Sequence, residues 1–195
     1  MTDRHATHVA IVQHMSAEGR LAALLRNRGA ETIDHPGGTL YAHLERVQHR
    51  LAAHGATPTL QLAARAHAVY GTDGFDVTLL DLSERSMLAD LISSDAEQLV
   101  YLYAACSRRQ TWKALAEDGR VWDRFTGEEH DLTSDQARAF ADLSLVNELD
   151  VAEHSATFLD QHGAYFRRLA TSWELLLTPA VLADARRVLG HTPTN

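Results

Sequence analysis

The chain has 195 residues, of which 45% are hydrophobic and 23% charged, with a formal net charge of −8 and one cysteine, Cys106. That size supports one well-buried core. Its basic residues cluster only in pairs such as Arg108–Arg109, Arg167–Arg168 and Arg186–Arg187, which argues against a nucleic-acid partner.

A lone cysteine excludes an internal disulfide and a thiolate-rich zinc site. The start, MTDRHATHVAIVQHM, lacks the long apolar core of a signal peptide. No apolar run approaches the roughly 20 residues that span a bilayer. A cytoplasmic chain without membrane contact is therefore expected. There are 12 histidines, and His5, His8, His14 and His191 lie near the termini, where solvated side chains are the default.

In chain order, Ser16 caps a helix through LAALLRNRG that Gly29 ends. HPGG at 35–38 reads as a loop, and Thr39 caps a second helix. There Leu40, His43, Leu44, Val47 and Leu51 form one apolar stripe at helical spacing. Gly55 ends it. Thr57–Pro58 starts a third helix, with proline at the tolerated first position and an inner stripe of Leu60, Ala63, Ala64 and His67. GTDGF at 71–75 is a glycine-bracketed loop, and VTLLDL reads as a short extended piece. Ser83 opens a helix through RSMLADLI, and Ser94 to Glu97 matches a capping box before LVYLYAAC. Asp118–Gly119 carries a turn signal that predicts a small β-hairpin over 111–132. Ser134 caps a long helix, DQARAFADLSLVNELDVAEH, and two more follow over GAYFRRLATSWELLL and PAVLADARRVLG.

His43 and His67, 24 residues apart, both face the helical core. A buried imidazole needs a partner for each nitrogen, so two that converge suit a metal or a proton-transfer site. His35 lies eight residues before His43, beside Pro36-Gly37-Gly38, and can reach back over the helix start as a third ligand or a substrate contact. Tyr70, Gly71, Thr72 and Asp73 follow His67, with glycine allowing close backbone approach. Glu97 serves either as a cap or as a carboxylate that orients a histidine. On the long helix, Phe140, Leu143, Val146 or Asn147, and Asp150 share an inward side. Cys106 ends an apolar helix and reads as inert packing. No phosphate-cradling GxxxxGK[ST], GxGxxG, GxSxG or HExxH occurs.

From His35 to Cys106 the chain resembles the HD-domain superfamily of metal-dependent helical enzymes. His43-Leu44-Glu45-Arg46-Val47 looks like its opening HxxRV, and Leu62 to His67 looks like its second, apolar run. His67 to Thr72 matches the HxxYGT of an HD-like group, and His35 to Tyr41 is similar to a loop of the guanosine tetraphosphate hydrolase branch. Glu97 falls near a glutamate of that branch. Ala68 stands where the superfamily has a metal-binding aspartate. Asp142, Asn147 and Asp150 are the candidates to complete the site.

The resemblance implies one all-α, HD-like domain with its core over about 16–177 and the hairpin as an insert. It implies a single divalent ion (Fe, Mn or Zn) on His35, His43 and His67. His67, Tyr70, Asp73 and Glu97 would be catalytic, and His35, Gly71, Thr72 and Asn147 would bind substrate. The expected partner is a small molecule, and a homodimer is a further expectation. The function implied first is hydrolysis of a phosphate ester or nucleotide-like substrate. An iron-dependent oxygenase and a catalytically inactive binding module are the alternatives. The same residues without metal form a pocket in which the histidines act as acid and base.

Overall fold

The computed structural model describes residues 16–190, so His5, His8, His14 and His191 lie outside it. The fold is all-α with a small β insertion, and its order follows the caps written into the sequence. Helix α1 (Ala17–Asn27) starts where the Ser16 hydroxyl accepts from Gly19 N–H. A 3₁₀ turn (Ala30–Thr32) follows. The expected HPGG loop is a minimal hairpin, with β1 (Asp34–His35) antiparallel to β2 (Gly38–Thr39). Thr39 caps α2 (Leu40–Ala53), and Thr57 caps α3 (Pro58–Ala66) with proline in its first turn.

Four expectations shift. His67 is not inside α3 but caps its end, because the chain turns from 67 to 70. Val77–Leu82 is no strand: Leu79 and Leu80 both donate to the Val69 carbonyl, and a 3₁₀ turn (Leu82–Glu84) follows, boxed by Asp81 and Glu84. Ser83 therefore does not open α4 (Arg85–Ile92). Ser93, at φ 92°, caps α5 (Ser94–Ala105) through Ala96 N–H, so Glu97 lies one residue beyond the capping-box position.

The insert also differs from expectation. Its first half is two short helices, α6 (Arg108–Thr111) and α7 (Leu115–Asp118). Gly119 adopts the left-handed conformation that ends α7 and is not the hairpin turn. The hairpin itself pairs β3 (Arg120–Asp123) with β4 (Glu128–Asp131), and its turn lies at 124–127. There the Asp123 carboxylate accepts from Phe125 and Thr126 N–H.

Helix α8 (Ser134–His154), capped by Thr133 and Gln136, is the axis of the molecule. It packs against α2, α5, α9 (Ala156–Ser172) and α10 (Pro179–Leu189). Every residue from Phe140 to Asp150 is buried, so no single side faces inward. Core residues run on to Leu189, because α10 supplies Val181, Ala185 and Val188, and the core does not stop near 177. Among the described residues no helix is long and apolar enough to cross a membrane.

Candidate active site: a histidine-lined cavity

A buried polar group on a surrounded helix must find its partner inside the protein. On α8, Asn147 and Asp150 find theirs on α2. His43, 1% exposed, donates Nδ1–H to Asp150 Oδ2 at 2.7 Å. Its Nε2–H donates to Asn147 Oδ1 at 2.9 Å. Asn147 in turn donates from Nδ2 to Glu148 Oε1 at 2.9 Å. The Glu148 carboxylate only accepts, and it is paired with Arg108 at 3.0 Å, so the amide oxygen of Asn147 must face His43. Both His43 nitrogens thus meet acceptors and both carry hydrogen. The ring is an imidazolium held against the Asp150 carboxylate.

Arg46 completes this arrangement. It donates through Nε and Nη2 to the two Asp150 oxygens, each at 2.8 Å. It also donates to the carbonyls of Pro36 and Gly37 at 2.9 and 3.1 Å. Burial opposes ionisation of Asp150, but the bonds from His43 and Arg46 prevail and hold its carboxyl well below the usual range. Gly37 sits at φ 80° against the His154 ring, so a side chain there would meet both strain and overlap. These contacts deliver His35 onto His43, with ring centroids 3.9 Å apart and stacked.

His67 approaches from the end of α3. Its ring meets His43 edge-on at 5.3 Å and Tyr103 at 5.1 Å. Nδ1–H donates to the Ala64 carbonyl at 2.7 Å, which fixes the tautomer and leaves a lone pair on Nε2. Burial, then the charge of His43, lowers His67 to about 3 and His35 to about 4. Both are therefore neutral at ordinary pH. Together the three rings border a cavity of about 160 Å³, lined also by Phe75, Val151 and Phe158.

Of the expected site residues, His35, His43, His67, Thr72, Asp73 and Asn147 all line this cavity, and Ala68 adds a methyl to its wall. Gly71, Tyr70 and Glu97 do not. Gly71, at φ 72°, packs behind the loop against Thr78 and Val77. The Tyr70 hydroxyl donates to Glu97, whose carboxylate takes two bonds from Arg85. Glu97 is thus matched to Arg85 and orients no histidine. Of the candidates to complete the site, Asn147 and Asp150 reach His43, whereas Asp142 accepts from Thr178 N–H on another face. Cys106 is buried, which pushes its thiol up to about 12, and it plays no part.

Sequence reasoning passed over Arg46 as a clasp, Arg108, Tyr103 and Phe158. One signal was available. His43–Arg46 and Asn147–Asp150 are each three residues apart, so each pair shares a helix face and the two faces match.

The geometry does not suit the expected metal. Among the described residues no group of three or more His, Cys, Asp or Glu is placed to hold a metal ion. A metal needs a deprotonated imidazole. His43 gives both nitrogens to protein acceptors, and Ala68 supplies no donor. The residues do not fit a metal centre.

Residues 24–108 match a family described as Domain of unknown function (DUF6817). No curated protein and no solved structure matches the chain. The matched segment covers less than half of the chain. It contains His35, His43, His67 and Arg108 but not Asn147, Glu148 or Asp150, so the similarity reaches the rings of the cavity and stops short of the helix that charges it.

Proposed function

We propose that this chain is a small-molecule enzyme that moves a proton without a metal, with His67 as the base. The observation that carries the reading is the open Nε2 of a 2% exposed histidine whose Nδ1 is already committed to Ala64. Such a nitrogen takes a proton from a substrate hydroxyl, from an acidic carbon or from an attacking water. The Ala64 carbonyl then steadies the imidazolium that forms. His43 supplies a fixed positive charge beside the reacting atoms, set in place by Asp150 and Asn147. Phe75 and Phe158 add apolar surface to the cavity wall.

Hydrolysis remains within this reading when His67 activates water. The metal-dependent hydrolase and the iron-dependent oxygenase require open nitrogens on His43, and its two hydrogen bonds count against both. Cavity size counts against a whole nucleotide, since drug-sized sites run from about 300 Å³ upward. A second reading, a binding module without turnover, is favoured by the weak basicity of the buried His67.

Deuterium exchange tests the proposal. Purified protein is incubated in D₂O with small hydroxy and carbonyl compounds, and carbon-bound hydrogen is followed by proton NMR. Exchange that survives EDTA and falls at least a hundredfold in His67→Gln supports proton transfer at carbon. Ester hydrolysis with the same dependence supports activation of water. Activity that EDTA abolishes, or that His67→Gln retains, overturns the proposal.

A further inference from the structure

The cavity has a second anchoring group, Arg108, that the reading above leaves without a task. Its guanidinium is fixed from three directions. Nη1 meets Glu148 at 3.0 Å, Nη2 donates to the Tyr103 hydroxyl at 3.1 Å, and the group lies 4.9 Å over the Trp112 ring. Its own backbone N–H is held by Asp73 Oδ2 at 2.8 Å. A guanidinium carries five N–H donors in a planar fork, and these contacts use two of them. A fork that is immobilised and still has donors to give is suited to a carboxylate.

The charges around the site are matched: Arg46, His43 and Arg108 face the carboxylates of Asp150 and Glu148, and Asp73 stands at the rim with its Oδ2 accepting from the Arg108 amide.

The other end of the cavity asks for a hydrogen-bond donor. The Nδ1 of His67 is committed to Ala64 and its ring borders the cavity, so Nε2 can accept a hydrogen bond from a ligand there. Thr72, a buried residue, lines the same space. At ~30 Å³ per water-sized unit, the space holds about five such units, which matches a ligand of roughly five to seven heavy atoms.

We infer that the cavity binds a short 2-hydroxycarboxylate, with its carboxylate on Arg108 and its hydroxyl on Nε2 of His67. This rests on the reading of His67 as a proton acceptor and names the substrate class for it. It also supplies something that reading lacks, since an anion beside His67 offsets the positive charge that, after burial, weakens it as a base.

Titration of the full chain with L-lactate, lactamide and inorganic phosphate tests the inference. Calorimetry gives affinity, and ¹⁵N-histidine NMR reports on His67. Lactate is expected to bind at least tenfold more tightly than lactamide, to outcompete phosphate and to shift the Nε2 resonance. Arg108→Gln should remove that preference, with its fold checked by circular dichroism. The lactate-to-lactamide ratio in the unmodified protein decides the matter even if the variant does not fold. Equal affinity for the two, tighter phosphate binding, or no lactate binding overturns the carboxylate assignment. Lactate binding that leaves Nε2 unmoved and His67→Gln unaffected overturns the role of His67 instead.

Discussion

Helix α2 builds the same kind of cluster twice. Near its start, His43 and Arg46 hold Asp150; at its end, Arg50 and His54 hold Asp184, joined by Arg187. Both carboxyls resist burial and are drawn below their ordinary range by these partners, Asp184 to about 2. Only the first cluster adjoins a cavity with an imidazole nitrogen left open. An Asp–His–Arg arrangement is therefore a fastener, and chemistry requires the unfilled valence beside it. His54 reaches toward its aspartate from a partly exposed position, whereas His43 is sealed between two acceptors.

The largest expected difference comes from breaking each fastener. Asp150→Asn leaves a buried imidazolium and Arg46 without their anion and should cost about 3 to 5 kcal/mol in urea unfolding. Asp184→Asn, whose partners Arg187 and His54 keep access to water, should cost about 2 kcal/mol. Equal losses would remove the distinction between the clusters. Gly37→Ala comes next. It forces a left-handed backbone onto alanine and presses on His154, for an expected loss of about 1 to 3 kcal/mol and a displaced His35 ring signal.

A smaller effect separates the clusters by pH. His67 and His35 are depressed in the folded chain, so below their ordinary 6.5 the unfolded chain binds protons first. Stability is then complete above about 6.5 and declines as pH falls toward 4, by about 1 kcal/mol per pH unit for His67. The aspartates have lowered values, so their contribution persists through that window and is lost only below about 4. His67→Gln should flatten the slope between pH 6.5 and 4.5. Smallest of all, Leu175→Ser at an 87% exposed position should move the unfolding midpoint by less than about 0.5 kcal/mol.

Much of this was legible in the sequence. The caps at Ser16, Thr39 and Thr57, the stripe carrying His43, and the length of α8 all follow from local patterns. The errors came where a short-range signal had two physical uses. Gly119 reads as a hairpin turn, but positive φ also ends a helix, and α7 took it for that. Glu97 reads as a cap, yet Ser93 adopted the strained backbone one residue earlier and released it to Arg85. Asp150 was one candidate among three, because its partners His43 and Arg46 lie more than a hundred positions away. Alternation of apolar and polar residues could not orient α8, since a helix enclosed on all sides shows no preferred face.

That enclosed helix has a consequence for the molecule as a whole. Asp142, Ser144, Asn147, Glu148 and Asp150 occupy places where leucine would pack well. Joint replacement of a buried ionic group by apolar residues is often neutral or favourable to folding. A lineage selected for heat resistance alone would drift toward such an interior, so the persistence of these polar side chains in relatives would mark the chains in which the proposed proton transfer is under selection.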